Sequence, residues 1–206
     1  MTAHPPALRP RLRDLGISIG TLPTGALNAI TDVSGVTVGH ATLVADEPHC
    51  ARTGVTLVSP TSSDDGVYAA YHSFNGNGEL TGSHWLNEAG ILDGPVGITN
   101  THQVGLVRDT LVRHAVTTKP NSTWQLPVVA ETYDGYLNDI DRFSLTATHV
   151  DEAIRNLAGG PVAEGNVGGG TGMICHEFKG GIGTSSRVAT TPAGDYIVAA
   201  LVQANY

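Results

Sequence analysis

The chain has 206 residues, of which 40% are hydrophobic and 15% are charged, proportions typical of one globular domain. Its net charge of -8, with only Lys119 and Lys179 as lysines, argues against nucleic acid or an anionic membrane as a partner. No run approaches the length of a transmembrane helix, and the first residues lack the apolar core of a signal peptide. We therefore expect no membrane span and a cytoplasmic location.

The first half of the chain has the pattern of a β-rich protein. We expect residues 1–14, which are rich in proline and arginine, to be extended or partly disordered. Further on, apolar and polar residues alternate or form short apolar runs, as they do in strands. The predicted strands are residues 35–44, 53–58, 67–75 and 96–99, and a short helix is predicted over residues 85–89.

The second half mixes helices with strands. One helix is predicted to begin at Thr101 as its N-cap. Its apolar face comprises Val104, Val107, Leu111 and Ala115. A second helix is predicted to begin at Thr148, with Asp151 as the acidic partner of a capping box. Its inward side chains are Val150, Ile154 and Leu157. Strands are predicted over residues 125–130 and 195–205, and the whole pattern predicts a layered α/β sandwich.

The stretch from residue 159 to residue 187 is unusually rich in glycine, with ten glycines among 29 residues. Glycine accumulates where the backbone needs positive φ or approaches another group closely. We interpret the stretch as loop, strand and loop around Met173–Cys175, with exposed amide N–H groups facing a small cavity. Such amides suit an anion or a developing oxyanion. A set of tight turns between strands is an equally good interpretation.

Most familiar catalytic motifs are absent. There is no Gly-x-Ser-x-Gly elbow, no paired histidines for a metal, and no complete phosphate or dinucleotide loop, so a nucleotide-binding protein is a weak alternative. Two isolated cysteines make neither a disulfide framework nor a zinc site. Ser185 and Ser186 are candidate nucleophiles by position, but no histidine is placed to activate them. Other polar groups of interest are Tyr133, Tyr136, Asn138 and Asn205.

Eight sequence blocks, in this order, resemble one known family. The blocks are ITDVSGVTVGH (30–40), RTGVT (52–56), NGNGE (75–79), ITNTHQVGLVRD (98–109), PVVAETYDGYLNDI (127–140), GGPVAEGNVGGGTGM (159–173), FKGGIGTSSR (178–187) and LVQANY (201–206). Together they resemble the L-aminopeptidase/D-amino-acid esterase family, which includes the β-peptidyl aminopeptidases. The resemblance runs from about residue 12 to the last residue.

The resemblance implies a four-layer αββα sandwich of the N-terminal-nucleophile type. It also implies a precursor that cuts itself before a serine into α and β subunits. That serine is the nucleophile and its own α-amino group is the base, with no cofactor. This chain would be most of the α subunit, partnered by the β subunit in a tetramer of αβ pairs. The apolar strand at residues 195–205 independently suggests either pairing with another chain or a fragment of a longer precursor, and Ser185 and Ser186 become structural candidates.

The resemblance also implies which residues stabilise the oxyanion. Asn205 and a tyrosine of the segment 131–140 occupy the matching positions. We take Tyr136 as the first choice and Tyr133 as the second.

Substrate-binding candidates complete the predicted site. Glu131 and Asp134 are candidates to bind the substrate ammonium, on charge alone. Gly169 and Gly170 are candidates through their amide N–H groups. The resulting prediction is an aminopeptidase that releases N-terminal amino acids, of the α or the β type, from peptides, amides or esters through a seryl acyl-enzyme. The alternatives are an N-acyl transferase similar to ornithine acetyltransferases and a non-enzymatic subunit that binds a small ligand.

Overall fold

The structure, a computed structural model, describes residues 10–60, 66–119 and 124–206. Its helices and strands in chain order are β1 (Thr37–Ala45), β2 (Ala51–Ser59), β3 (Val67–Tyr68), α1 (Ser83–Ala89), β4 (Ile91–Leu92), β5 (Val96–Asn100), α2 (Val104–Thr118), β6 (Val128–Thr132), α3 (Ala147–Arg155), β7 (Ile174–Cys175), β8 (Phe178–Lys179), β9 (Gly181–Thr191) and β10 (Gly194–Ala204). Residues 1–9 of the predicted extended N-terminal segment lie outside the described residues. Within the rest of that segment, Leu12–Leu15 forms one turn of 3-10 helix.

The central sheet has the strand order β1-β2-β5-β6. The pairs β1–β2 and β2–β5 are antiparallel, whereas β5 and β6 are parallel and are connected through α2. Parallel neighbours end at the same edge of a sheet, so the carboxyl ends of β5 and β6 lie side by side. There Thr99 pairs with Glu131, and Asn100 pairs with Thr132. This edge positions the candidate site.

Helices α2 and α3 cover one face of the sheet. The main core cluster joins Val55 and Leu57 of β2 to Val107 of α2 and Val150 of α3, all fully buried. Each such side chain contributes about 1.5–3 kcal/mol by leaving water. None of the helices in the described part of the chain is long and apolar enough to span a bilayer.

The glycine-rich stretch covers the opposite face of the sheet, and its expected exposed amides are not found. The Gly168 N–H donates to Thr42 Oγ1 at 2.8 Å, and the Gly169 N–H donates to Thr56 Oγ1 at 3.1 Å. A Cβ on Gly54 of β2 would overlap the carbonyl oxygen of Gly168. The glycines therefore let two backbone layers meet directly, and the prediction that these amides face an anion cavity was wrong. The strand predicted at the centre of the stretch is present as β7.

Strands β9 and β10 form a long antiparallel hairpin beside this glycine turn. Alternate residues of β10 differ in environment: Ile197 and Leu201 are half-buried, whereas Val198 and Val202 are exposed. A strand of such apolar composition would be expected to be buried on both faces. In the described residues, β10 has β9 as its only strand partner.

Most predicted elements are present, with three corrections. The strand predicted over residues 67–75 is limited to Val67–Tyr68. Thr101 is not an N-cap: Asn100 caps the 3-10 turn that leads into α2, because its side chain accepts from two backbone N–H groups of that turn, and α2 itself begins after Gln103. The second predicted helix, α3, begins after Thr146 rather than at Thr148, and His149 completes its capping box.

Candidate active site

A cavity of about 510 Å³ opens where β5, β6 and β10 end. Its lining residues are Asn75, Asn77, Gly78, Thr101, Glu131, Thr132, Tyr133, Asn205 and Tyr206. The structure thus brings three predicted site residues, Glu131, Tyr133 and Asn205, onto one wall. Among the described residues, no three His, Cys, Asp or Glu side chains come together as a metal site.

The Asn205 side chain ties the end of β10 to the segment that follows β6. Its Oδ1 accepts from the Tyr133 backbone N–H at 3.2 Å. Its Nδ2 donates to the carbonyl oxygens of Tyr133 at 3.1 Å and of Ile174 at 3.3 Å. Both N–H groups of the amide are therefore engaged, and an oxyanion would have to replace one of these carbonyls. The donor role of Asn205 stays a prediction.

The two candidate tyrosines differ in their relation to the cavity. Tyr133 lines it and is about half exposed, and its phenol lies over Gly135, where a Cβ would collide with the ring. Tyr136 is 77% exposed and does not line the cavity; its ring meets the Tyr133 ring edge-on, with centroids 5.7 Å apart. The geometry therefore favours Tyr133, the second choice from sequence, over Tyr136.

The two candidate carboxylates are separated by burial. Glu131 stands on the cavity wall, and its Oε2 accepts a short hydrogen bond from Thr101 Oγ1. Asp134 is only 1% exposed and does not line the cavity. Burial raises the pKa of Asp134, although hydrogen bonding from Thr53 and Asn138 opposes the shift. Asp134 is therefore not available to a substrate ammonium in this structure.

Asp134 instead fastens the turn that follows β6. Its Oδ1 accepts from Asn138 Nδ2 at 3.0 Å, and its backbone carbonyl accepts from the N–H groups of Leu137 and Asn138. Asn138 Oδ1 in turn accepts from the Arg52 N–H at 3.1 Å. This network holds the turn carrying both tyrosines against the start of β2.

The other predicted residues lie away from the cavity. The Gly169 amide is bonded to Thr56, and the Gly170 amide is bonded to Val167 O, so neither offers an N–H to a substrate. Ser185 Oγ donates to Asn28 Oδ1 at 2.7 Å, and the buried Ser186 donates to Asp32 at 2.6 Å. These contacts give both serines structural roles.

Six lining residues were missed from the sequence as site residues: Asn75, Asn77, Gly78, Thr101, Thr132 and Tyr206. Three of them lie in the NGNGE block, but asparagine and glycine before a turn do not indicate any particular chemistry. Asn75 Oδ1 accepts from the Asn77 N–H at 2.9 Å and shapes this loop locally. Thr101 was hidden by its interpretation as a helix cap.

Comparison with known proteins places the chain in a family. The sequence pattern of peptidase family S58 matches residues 28–206. The β-peptidyl aminopeptidase BapA of Sphingosinicella microcystinivorans is 50% identical over 205 residues, which cover 96% of this chain and 52% of that protein. BapA of Sphingosinicella xenopeptidilytica is 49% identical over 208 residues, again 96% of this chain and 52% of the relative. The chain thus spans about half the length of the curated relatives it matches.

Two solved structures establish the fold. A β-aminopeptidase of a Burkholderia species superimposes with a TM-score of 0.92 at 54% identity, over 95% of this chain and 57% of its own. The L-aminopeptidase D-Ala-esterase/amidase of Ochrobactrum anthropi gives 0.91 at 48% identity, over 96% and 58%. The latter is a prototype of the serine aminopeptidases and a variant of the N-terminal-nucleophile hydrolase fold. The predicted αββα class is confirmed.

Proposed function

This chain belongs to peptidase family S58, and from that premise we propose that it is the α part of a self-cleaving serine aminopeptidase. The proposed partner is a β subunit from the same precursor. Its N-terminal serine attacks the substrate carbonyl, and the free α-amino group of that serine, with a pKa near 8, takes the hydroxyl proton. This chain matches only about half of each curated relative. That coverage supports the proposal that the chain works together with a second polypeptide.

One observation carries the assignment of roles: Glu131 and Tyr133, at the end of β6, share one cavity with Asn205, which follows β10 about 70 residues later in the chain. A substrate ammonium requires an acceptor, and a carboxylate is the strongest available type. Glu131 Oε2 is taken by Thr101, and no described residue donates to Oε1. We therefore assign Glu131 Oε1 to the free amine of the substrate.

Oxyanion stabilisation is assigned to Asn205 with a tyrosine beside it. The longer of the two Nδ2 bonds, 3.3 Å to Ile174 O, is the one that an oxyanion would replace. Tyr133 takes precedence over Tyr136 because it lines the same cavity. Donors of this kind act on the tetrahedral intermediate, in which the carbonyl oxygen carries the negative charge.

The proposed reaction is acyl transfer to the serine followed by hydrolysis. The serine Oγ bonds to the substrate carbonyl carbon, the amine or alcohol leaves with a proton, and water then releases the amino acid. Substrates are short peptides, amides or esters with an unblocked amine. The names of the relatives extend this class to β-amino acids.

The test uses the complete protein. Intact-mass analysis and N-terminal sequencing should find two polypeptides, the smaller beginning with serine. p-Nitroanilides of small L- or β-amino acids should be cleaved, and their N-acetylated forms should not. Equal turnover of both forms would contradict an ammonium site, and a single uncut active polypeptide would contradict self-cleavage. Light scattering tests the proposed tetramer of αβ pairs.

A further inference from the structure

The Glu131 carboxylate is held from the side of β5 by one hydroxyl. Strand pairing sets Thr99 opposite Glu131, so Thr101 follows just beyond the end of β5. The Asn100 side chain accepts from the N–H groups of His102 at 3.1 Å and Gln103 at 3.0 Å, and thereby caps this turn. Because Asn100 supplies the cap, the Thr101 hydroxyl is left to donate to Glu131 Oε2.

Gly78 approaches the other carboxylate oxygen from the opposite side. The segment containing Gly78 runs along the outer edge of β6, where Leu80 bridges Ala130 and the Thr81 N–H donates to Val129 O at 3.0 Å. A Cβ on Gly78 would stand 2.8 Å from Glu131 Oε1, closer than real Cβ atoms come to other atoms. The φ of Gly78 lies outside the left-handed region, so backbone conformation does not require glycine here, and a side chain at position 78 would instead displace Glu131 Oε1.

We propose that Thr101 and Gly78 are positioning residues that fix Glu131 so that its Oε1 alone receives the substrate ammonium. This inference rests on the proposed function. A free glutamate side chain samples several rotamers, and their loss on binding would weaken the contact. The Thr101 hydroxyl removes that freedom before substrate arrives, and the missing side chain at position 78 leaves room beside Oε1.

The arrangement determines what the site selects. Because Oε2 of Glu131 is already bonded, recognition of the substrate amine depends on Oε1, which is held in one position. A primary ammonium suits this oxygen because it is a compact charged donor. An acylated amine carries no charge. The proposed consequence is that affinity for unblocked amines depends on groups that themselves never touch the scissile bond.

The first test compares Thr101→Val with Thr101→Ser in the complete protein. Valine keeps the shape and loses the donor, whereas serine keeps the donor. Because a hydrogen bond to a charged group is lost, Thr101→Val should raise the KM of a β-alanine or L-alanine p-nitroanilide about tenfold, with a smaller change in kcat. Thr101→Ser should restore most of the affinity. An unchanged KM in Thr101→Val, or an equal loss in both variants, would overturn the proposal.

The second test uses two glycines of the same loop. Gly78→Ala should raise KM, since the new methyl group must displace Oε1. Gly76→Ala is the matched control, because a Cβ there meets nothing within 4 Å. Equal KM values for the two alanine variants would overturn the role of Gly78.

A third measurement separates this proposal from the proposed function. n-Propylammonium and neutral n-propanol are used as competitive inhibitors of the wild type, Glu131→Gln and Thr101→Val. Glu131→Gln should lose selectivity for the amine, and Thr101→Val should show it reduced, in line with its higher KM. If Glu131→Gln keeps it, the assignment of Glu131 to the ammonium fails. If Glu131→Gln loses it and Thr101→Val keeps it, only the positioning role of Thr101 fails.

Discussion

The glycine turn at residues 168–170 and the cavity wall at the ends of β5 and β6 invite direct comparison. Both present small polar groups on the surface of the same sheet. In the glycine turn, the amide N–H groups find partners inside the protein, at Thr42, Thr56 and Val167. On the cavity wall, one oxygen of Glu131 has no donor among the described residues. A polar group that already has a hydrogen-bond partner inside the protein has little capacity left to bind a ligand. Polar groups without internal partners are therefore what indicates a binding site.

A different contrast, burial, separates Glu131 from Asp134, which lie three residues apart: Asp134 Oδ2 also lacks a hydrogen-bond partner among the described residues, but it is buried away from the cavity. Glu131 belongs to a strand whose end meets the cavity, so its head group stays within reach of a ligand. Asp134 belongs to the turn beyond that strand and folds back beneath it, where Asn138 binds it. Their charge is the same, and only the direction of the chain after β6 distinguishes them.

Asn205→Ala should cause the largest effect of the variants that probe the cavity wall. If its Nδ2 stabilises the oxyanion, kcat should fall about 10²–10³-fold. Self-cleavage passes through the same kind of intermediate, so uncut precursor should accumulate. Gel analysis of maturation and steady-state kinetics measure both. Normal maturation with full kcat would mean that Asn205 only ties β10 to the Tyr133 backbone.

The two tyrosines sharpen the comparison, because Tyr136 serves as the control for Tyr133. Tyr133→Phe should lower kcat roughly 10-fold to 10²-fold, as expected for the loss of one hydrogen bond to a charged group. Tyr136→Phe should change kcat much less, since its exposed ring does not line the cavity. Each variant removes one hydroxyl and almost no volume. A larger loss in Tyr136→Phe would restore the choice made from sequence.

Gly169→Ala tests the glycine turn as a packing surface. A Cβ there would lie 2.5 Å from Gln203 Oε1 and 2.7 Å from Ile98 O, so we expect overpacking to cost about 2 kcal/mol of stability. Thermal unfolding should show the loss, while KM of the folded fraction stays close to wild type. Gly159→Ala is the control, because a Cβ there meets nothing within 4 Å. A raised KM with unchanged stability would return Gly169 to the substrate site.

The sequence predicted the strands and helices well, since their apolar periodicity is local. It also indicated the segment 131–140 and Asn205 through the family resemblance. It failed for the glycine stretch because glycine signals a close approach without saying which group approaches. It could not separate Glu131 from Asp134, since burial depends on tertiary packing. Thr101 was misinterpreted for a related reason: Asn100 and Thr101 are both good caps, and only the structure shows which one caps the turn.

The pH dependence of stability is the subtlest probe of the contrast between the two carboxyl groups. Burial raises the pKa of Asp134 above its ordinary value of 3.8, despite opposing hydrogen bonds from Thr53 and Asn138 and the nearby charge of His102. Between the unfolded and folded pKa values, the folded state therefore holds more protons than the unfolded state. The free energy of unfolding falls as pH rises through this window, by about 1.4 kcal/mol per pH unit, and then stays lower.

Asp134→Asn should remove this contribution, because an amide keeps the carbonyl acceptor for Asn138 and cannot ionise. The difference in unfolding free energy between variant and wild type should therefore shift in favour of the variant as pH rises above about 4. Denaturant unfolding at a series of pH values measures it. Asp134→Ala separates charge from packing, since it lacks both the carboxyl group and the acceptor. If the difference in unfolding free energy between Asp134→Asn and wild type is the same at every pH, the pKa of Asp134 is not raised by its burial.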